Sequence, residues 1–332
     1  MNTKETLKIT VVTFLRSEQW PLFKPVIDDV LREKNVKSYI LALTSDEKNF
    51  SAIDIFSKMY KTKLVLVKGE KLTQAELFDV TLDEIKKHPS EYVAVLDDES
   101  TPEENWISSF LNNLMFFTKE EQGEVIMIGN TVDIFGDEQS YYNINNKKKF
   151  RDGTLFDIFS FNKIKAFIQH FLPTKKYVHH TPIFRTSAYF GGGVFIPFQA
   201  IERAKKPETS LVMCGVDTEY SWNLLEQGYL FFACAHPVFK RPSSTTRKQS
   251  PTLRIFNKNT SDREVYYQTR NAVFISRKHT QQHALTLLCN IITRTILLCA
   301  IGAIQAENFS LMFRRISTLL KGTVDGYRMK IS

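Results

Sequence analysis

Along the first hundred residues, apolar positions follow two alternating periods. Short runs rich in Val, Ile and Leu occur at Lys8–Phe14 (KITVVTF), Lys37–Leu43 (KSYILAL), Lys63–Val67 (KLVLV) and Glu91–Leu96 (EYVAVL), and they read as strands. Between them, Leu22–Leu31 places Val26, Val30 and Leu31 at helical spacing, and Phe50–Tyr60 and Leu72–Ile85 read as helices in the same way. Strands separated by helices predict βαβ units and a parallel sheet. Ligands of such sheets bind beyond the carboxyl ends of the strands. That rule places Thr13–Arg16, Thr44–Asp46, Lys68–Lys71 and Asp97–Glu99 on one rim.

The pattern then becomes less regular. Val125–Ile134 reads as a further strand, Gly136–Asp152 as a polar connection, and Phe156–Phe171 as an amphipathic, aromatic segment. Ser187–Ile196 (SAYFGGGVFI) reads as strand, glycine turn, strand. Helices follow at Gln199–Ala204 and Thr218–Gln227, a strand at Tyr229–Cys234, and a loop rich in Pro, Ser, Thr and basic residues at Pro237–Ser261. Three helical segments finish the pattern, at Glu264–Lys278, His283–Ile304 and Asn308–Leu320, with Gly322 expected to stop the last. The pattern divides the chain into a body over residues 1–250 and a helical segment over 251–332.

Composition changes this picture in two places. The four cysteines, Cys214, Cys234, Cys289 and Cys299, have no paired spacing, which supports neither a disulfide framework nor a zinc knuckle and predicts a reducing setting. The amino-terminal run reads as a strand with no cleavage-site pattern after it, so no secretory leader is expected. The net charge of +8 is localised. Residues 1–250 carry 32 Lys/Arg against 32 Asp/Glu, whereas 251–332 carry 12 against 4. A basic module on a neutral body suits nucleic acid, an anionic membrane or an acidic substrate.

Three constellations carry candidate chemistry. Asp97-Asp98-Glu99 follows an apolar strand, and such crowded carboxylates either hold a hard divalent cation on a diphosphate or form a solvated turn capping the next helix. Gly215-Val216-Asp217-Thr218-Glu219-Tyr220-Ser221-Trp222 opens a helix; Asp217 there is either a cap or a general base. A helix amino terminus lowers a carboxylate's pKa, so a base at this position needs burial or a nearby charge such as Glu219 to offset that effect. Gly191-Gly192-Gly193 permits a close ligand approach or a simple turn. The run Tyr266-Tyr267-Gln268-Thr269-Arg270-Asn271 reads as an ordinary helix with a surface arginine. His179-His180 reads as a polar loop, because adjacent side chains diverge.

In this order, these pieces resemble family 2 glycosyltransferases of the GT-A fold, and most closely the bacterial galactofuranosyl- and rhamnosyltransferase-like branch. The likeness is strongest over Tyr92–Trp106 and Ala188–Tyr229. It implies a Rossmann-like, mostly parallel sheet flanked by helices, forming a catalytic domain over residues 1–250 with nucleotide binding near 1–135 and acceptor binding near 180–250. It also implies donor binding by Arg16, Asp46, Asp97, Asp98 and Glu99, with Mn²⁺ or Mg²⁺ on Asp98 and Glu99 and with Asp97 and His236 as further donors. Asp217 is implied as the base, with Gly191, Gly192, Gly193, Trp222 and Glu219 along the substrate cleft. The chain departs from the family pattern where Phe14-Leu15-Arg16 lacks the usual Asn, where Lys68-Gly69-Glu70-Lys71 replaces an Asn and paired glycines, and where the metal-site histidine would fall near Arg241.

The basic helices point to location. His283–Ile304 is broadly apolar but carries Asn290 and Arg294 at its centre, and a central Arg costs about 2.5 to 3.5 kcal/mol on insertion. In Asn308–Leu320, apolar and basic stripes alternate. An in-plane pair on an anionic membrane fits, as does a subdomain packed on the body or on a second protomer. Basic residues that alternate with apolar stripes, and not with exposed aromatics suited to base stacking, are expected to favour anionic lipid over nucleic acid. The expected function is inverting transfer of a sugar, galactofuranose favoured, from a UDP-type donor to a lipid-linked glycan of an O-antigen or capsule, at the cytoplasmic face of a bacterial inner membrane. Alternatives are a rhamnosyl- or hexosyltransferase of the same fold, a nucleotidyltransferase, or a non-catalytic membrane adaptor.

Overall fold

A computed structural model describes residues 7–44, 50–69, 72–97, 100–133, 183–186, 193–241, 260–279, 284–305 and 309–331. Asp46, Asp98, Glu99, Gly191, Gly192, the Phe156–Phe171 segment and His179-His180 lie outside the described residues. The chain divides into two compact units. One comprises Met1–Asn143, Thr181–Ser210 and Val216–Ser243; the other comprises Ile144–His180, Leu211–Gly215 and Ser244–Ser332.

The first unit is built on one sheet. Its strands are β1 (Ile9–Arg16), β2 (Val36–Thr44), β3 (Leu64–Gly69), β4 (Tyr92–Leu96), β5 (Thr101–Pro102), β6 (Val125–Asp133), β7 (Ile183–Arg185), β8 (Gly193–Pro197) and β9 (Leu230–Arg241). Their order is β3-β2-β1-β4-β8-β6-β9-β5, with β7 also on β9. The β3-β2-β1-β4 half is parallel, as the βαβ pattern predicts. Beyond it the sheet is mixed: β8 runs antiparallel to β4 and β6, whereas β9 is parallel to β6.

Helices cover both faces because strand side chains alternate. On one face, Ile9, Val11 and Leu15 join a core with Phe23 and Ile27 of α1 (Trp20–Arg32), Ile53 and Phe56 of α2 (Phe50–Met59), and Trp106 and Phe110 of α4 (Trp106–Leu114). On the other, Val12, Ile40 and Val93 join Leu77, Leu82 and Ile85 of α3 (Gln74–Lys87). Ile201 of α6 (Phe198–Arg203) and Tyr220 and Leu224 of α7 (Val216–Glu226) complete that core, and α5 (Lys119–Gln122) lies between α4 and β6 in sequence. The start of α3 is fixed by a capping box in which Thr73 and Glu76 satisfy each other's backbone N–H groups.

One expected loop is partly strand. β9 continues past Pro237 to Arg241, so only the later part of Pro237–Ser261 falls beyond it. The register with β6 jumps there: Ile128 pairs with Ala233 but Asn130 with Val238, so Cys234–Pro237 bulges opposite the single residue Gly129. A bulge is where a sheet tolerates proline, since no ladder N–H is required. Asn113 of α4 donates to the His236 carbonyl at 2.6 Å and holds the bulge.

The second unit contains α8 (Asp262–His279), α9 (Ala284–Gln305) and α10 (Phe309–Arg328). Gly322 does not end the last helix, as its sequence position suggested; α10 runs on through Gly322 and Gly326. A Cβ on Gly322 would stand 2.8 Å from the Tyr266 carbonyl oxygen, and one on Gly326 would stand 2.2 Å from that of Arg270. The two glycines, one turn apart, let the backbones of α8 and α10 approach. Buried Arg315 donates to Asp262 at 2.6 Å, Tyr266 donates to Asp325 at 2.7 Å, and Arg277 caps the end of α10 through the carbonyls of Tyr327 and Met329. No described helix is long and apolar enough to cross a membrane.

Candidate active site

The strand order reverses at β1: the chain winds outward through β2 and β3, then returns to place β4 on the other side. The carboxyl ends of β1 and β4 therefore flank the crevice where doubly wound sheets bind ligands. Asp97 is the first residue beyond β4. Val93 and Val95 face the α3 and α7 side, and the two-residue period of a strand carries Asp97 to that side as well.

A cavity of about 150 Å³ opens there. Val12 and Phe14 of β1, Phe78, Leu82 and Ile85 of α3, and Val194 and Ile196 of β8 form much of its apolar wall. Asp97 and Asp217 both line it, with Gln74 and Tyr220. Its aromatic side is continuous: Phe14 stacks on Phe78 at 5.0 Å and 7°, and Phe78 meets Tyr220 edge-on at 5.2 Å. Of these aromatics only Tyr220 is singled out by the sequence; Phe14 and Phe78 fall within a predicted strand and helix without further assignment.

Asp217 lies inside the first turn of α7, one residue past its start, rather than at the capping position. Backbone N–H groups at this helix end and the Thr218 hydroxyl pull its pKa down. Removal from water pushes it up more strongly, and the like charge of Asp97 pushes the same way, so the carboxyl ends above its ordinary value. The offsetting charge is thus Asp97. Glu219 is fully buried and engaged elsewhere, accepting from Asn223 Nδ2 at 2.9 Å and from the Glu208 backbone N–H at 3.3 Å.

The remaining candidates are dispersed. Arg16 ends β1 beside Thr44 and lies 3.8 Å from Glu18. Trp222 is half-buried on α7, and neither it nor Glu219 is part of the cavity lining. Gly193 starts β8 opposite Leu96, next to Asp97 in the ladder. A Cβ on it would lie 2.1 Å from the Phe239 ring, so its lack of a side chain serves close packing of that ring. His236 sits on the β9 bulge, largely exposed, with Nδ1 3.4 Å from Glu103. It does not line the cavity. Among the described residues no group of three or more His, Cys, Asp or Glu could hold a metal ion. Asp97 is nonetheless a hard oxygen donor whose charge already presses on Asp217, which suits a divalent cation.

In the second unit, the run Tyr266–Asn271, read in the sequence as an ordinary helix, makes contacts that the sequence does not reveal. Asn271 is buried, and its amide donates to the carbonyls of Val212 at 3.0 Å and Cys214 at 2.7 Å. Arg270 Nε donates to Asn271 Oδ1 at 2.9 Å while its guanidinium lies 4.7 Å from the Tyr267 ring centre. The Tyr-Tyr-Gln-Thr-Arg-Asn run is therefore a clamp on the segment Val212–Cys214, which leads through Gly215, at φ 87°, directly into α7.

No family model matches the chain, and no curated protein matches it. Solved structures do. The structure of GalNAc-T7 with UDP, GalNAc and Mn²⁺ superposes with a TM-score of 0.55 at 13% identity, covering 83% of this chain and 48% of that one. The mannosyltransferase PcManGT from Pyrobaculum calidifontis, in complex with GDP-Man and Mn²⁺, gives 0.49 at 12% identity, covering 98% and 88%. The chain spans about half the length of GalNAc-T7. At 13% identity the likeness to GalNAc-T7 shows the fold alone: the sheet and its flanking helices have the GT-A fold.

Proposed function

We propose that this chain transfers a sugar from a sugar nucleotide to an acceptor hydroxyl with inversion at the anomeric carbon. The observation that carries the reading is the pair Asp97 and Asp217 on one cavity at the reversal point of a GT-A sheet, with the Asp217 carboxyl raised above its ordinary pKa. A raised pKa makes the carboxylate a stronger base. In the reaction Asp217 accepts the acceptor's hydroxyl proton as that oxygen bonds to the anomeric carbon. The bond from that carbon to the diphosphate breaks, and the nucleoside diphosphate leaves with the electron pair. A single displacement inverts the centre and needs no covalent enzyme intermediate.

Asp97, with Asp98 and Glu99 following it in sequence, would hold Mn²⁺ or Mg²⁺, which supplies positive charge to the departing diphosphate. Phe14, Phe78 and Tyr220 supply flat apolar faces against which a ring of the substrate packs. Resemblance to the galactofuranosyl- and rhamnosyltransferase-like branch favours UDP-galactofuranose as donor and a lipid-linked glycan as acceptor. The test is a panel of UDP-, GDP- and dTDP-sugars, with Mn²⁺ or with chelator, read by thermal stabilisation. Stabilisation by one nucleotide class, strengthened by Mn²⁺, is expected; indifference to every sugar nucleotide overturns the reading.

A further inference from the structure

We infer that the outward face of α10 docks in the plane of an anionic lipid surface. The inward face is settled: Leu311, Arg315, Leu319, Gly322 and Gly326 are buried. Opposite them, Phe313, Leu320 and Tyr327 recur every seven residues and are exposed, flanked by exposed Phe309 and Val324. Phe309 is 79% and Phe313 66% exposed, far beyond what two isolated surface phenylalanines require. Lys321 and Arg328 stand beside this stripe, also seven residues apart, and Arg314 extends the row while paired to Asp262 at 2.9 Å. No exposed position of α10 is acidic, because Asp325 is half-buried and bonded to Tyr266.

The same unit offers a second apolar surface. The exposed positions of α9 between Ala284 and Ala300 are all uncharged and include Leu285, Ile292 and Ile296. Three features select the occupant. No described helix is long and apolar enough to span a bilayer, so the face lies on a membrane rather than crossing it. A second copy docked antiparallel across a two-fold axis would bring the cationic rows together, and a parallel one would offer them no acid on the facing helix, since no exposed position of α10 is acidic. Phe309, Phe313 and Tyr327 are faces on which bases could stack, but Leu320 and Val324 within the same stripe are not, which favours a lipid surface over nucleic acid. Apolar side chains entering the headgroup boundary, with lysine and arginine at its level, match an anionic bilayer.

The test uses the full chain without any sugar nucleotide, so its outcome is independent of the catalytic reading. Sedimentation with phosphatidylcholine vesicles containing phosphatidylglycerol is expected, with little binding to phosphatidylcholine alone and release by high salt. Lys321→Glu with Arg328→Glu should lower the partition coefficient about tenfold or more. Phe313→Ser with Leu320→Ser should lower it comparably. All four positions are exposed, so circular dichroism melts should match the parent. Failure to bind anionic vesicles at low salt, or equal binding by both double variants, overturns the inference. So does a dimer that Phe313→Ser with Leu320→Ser dissociates, since that assigns the face to a second copy.

Discussion

At the scale of single residues, Asp217 is held in tension between a helix end that favours its charge and a half-buried site that opposes it. Because burial wins, the folded state holds a proton more tightly than the unfolded chain. Ionised Asp217 therefore costs stability, fully above its folded pKa and not at all below the ordinary aspartate value. Asp217→Asn should raise the melting temperature of the metal-free protein at pH 7, and the gain should vanish as pH falls below the ordinary aspartate pKa. A melting curve at each pH checks both halves. Asn271 behaves oppositely: Asn271→Leu removes a buried amide that donates to the Val212 and Cys214 carbonyls and should cost about 2 kcal/mol or more, read by chemical denaturation. Asp97 and Asp217 were legible in sequence because one ends an apolar strand and the other opens a helix. Asn271 was not, since its partners lie nearly sixty residues away and only folding brings them together.

At the scale of elements, most strands and helices follow from apolar period alone, and the departures have local causes. Proline and basic residues after Cys234 resemble a loop, yet β9 absorbs Pro237 in a bulge and continues. Gly322 resembles a helix stop, yet it is a point of contact: whether a glycine ends a helix or admits a neighbour depends on the partner's backbone, which no local pattern records. Gly326→Ala tests this. The added Cβ has no room against the Arg270 carbonyl, so α8 and α10 must separate, at a cost of about 1 to 3 kcal/mol. Thermal unfolding followed by helical circular dichroism should show the loss, whereas the same substitution at Gly228, where a Cβ meets nothing but φ is 99°, would report backbone strain alone.

At the scale of the whole molecule, the sequence foretold the parallel half of the sheet and its carboxyl rim, because βαβ units obey handedness and short-connection rules. It did not foretell the mixed half, whose strand order depends on long-range pairing of β6, β8 and β9. That half matters to the site, because β8 places Val194 and Ile196 in the cavity wall beside Asp97. The GT-A architecture, the cavity at the strand reversal and the two carboxylates that line it form one account, in which Asp217 takes a proton while the diphosphate departs. The most direct test is transfer from the sugar nucleotide that best stabilises the protein, comparing the parent with Asp217→Asn under saturating donor. The account predicts a glycoside of inverted anomeric configuration and, in the variant, unchanged donor affinity with turnover lower by about 10² to 10⁴. Retained configuration, or near-parental turnover in Asp217→Asn, would contradict it.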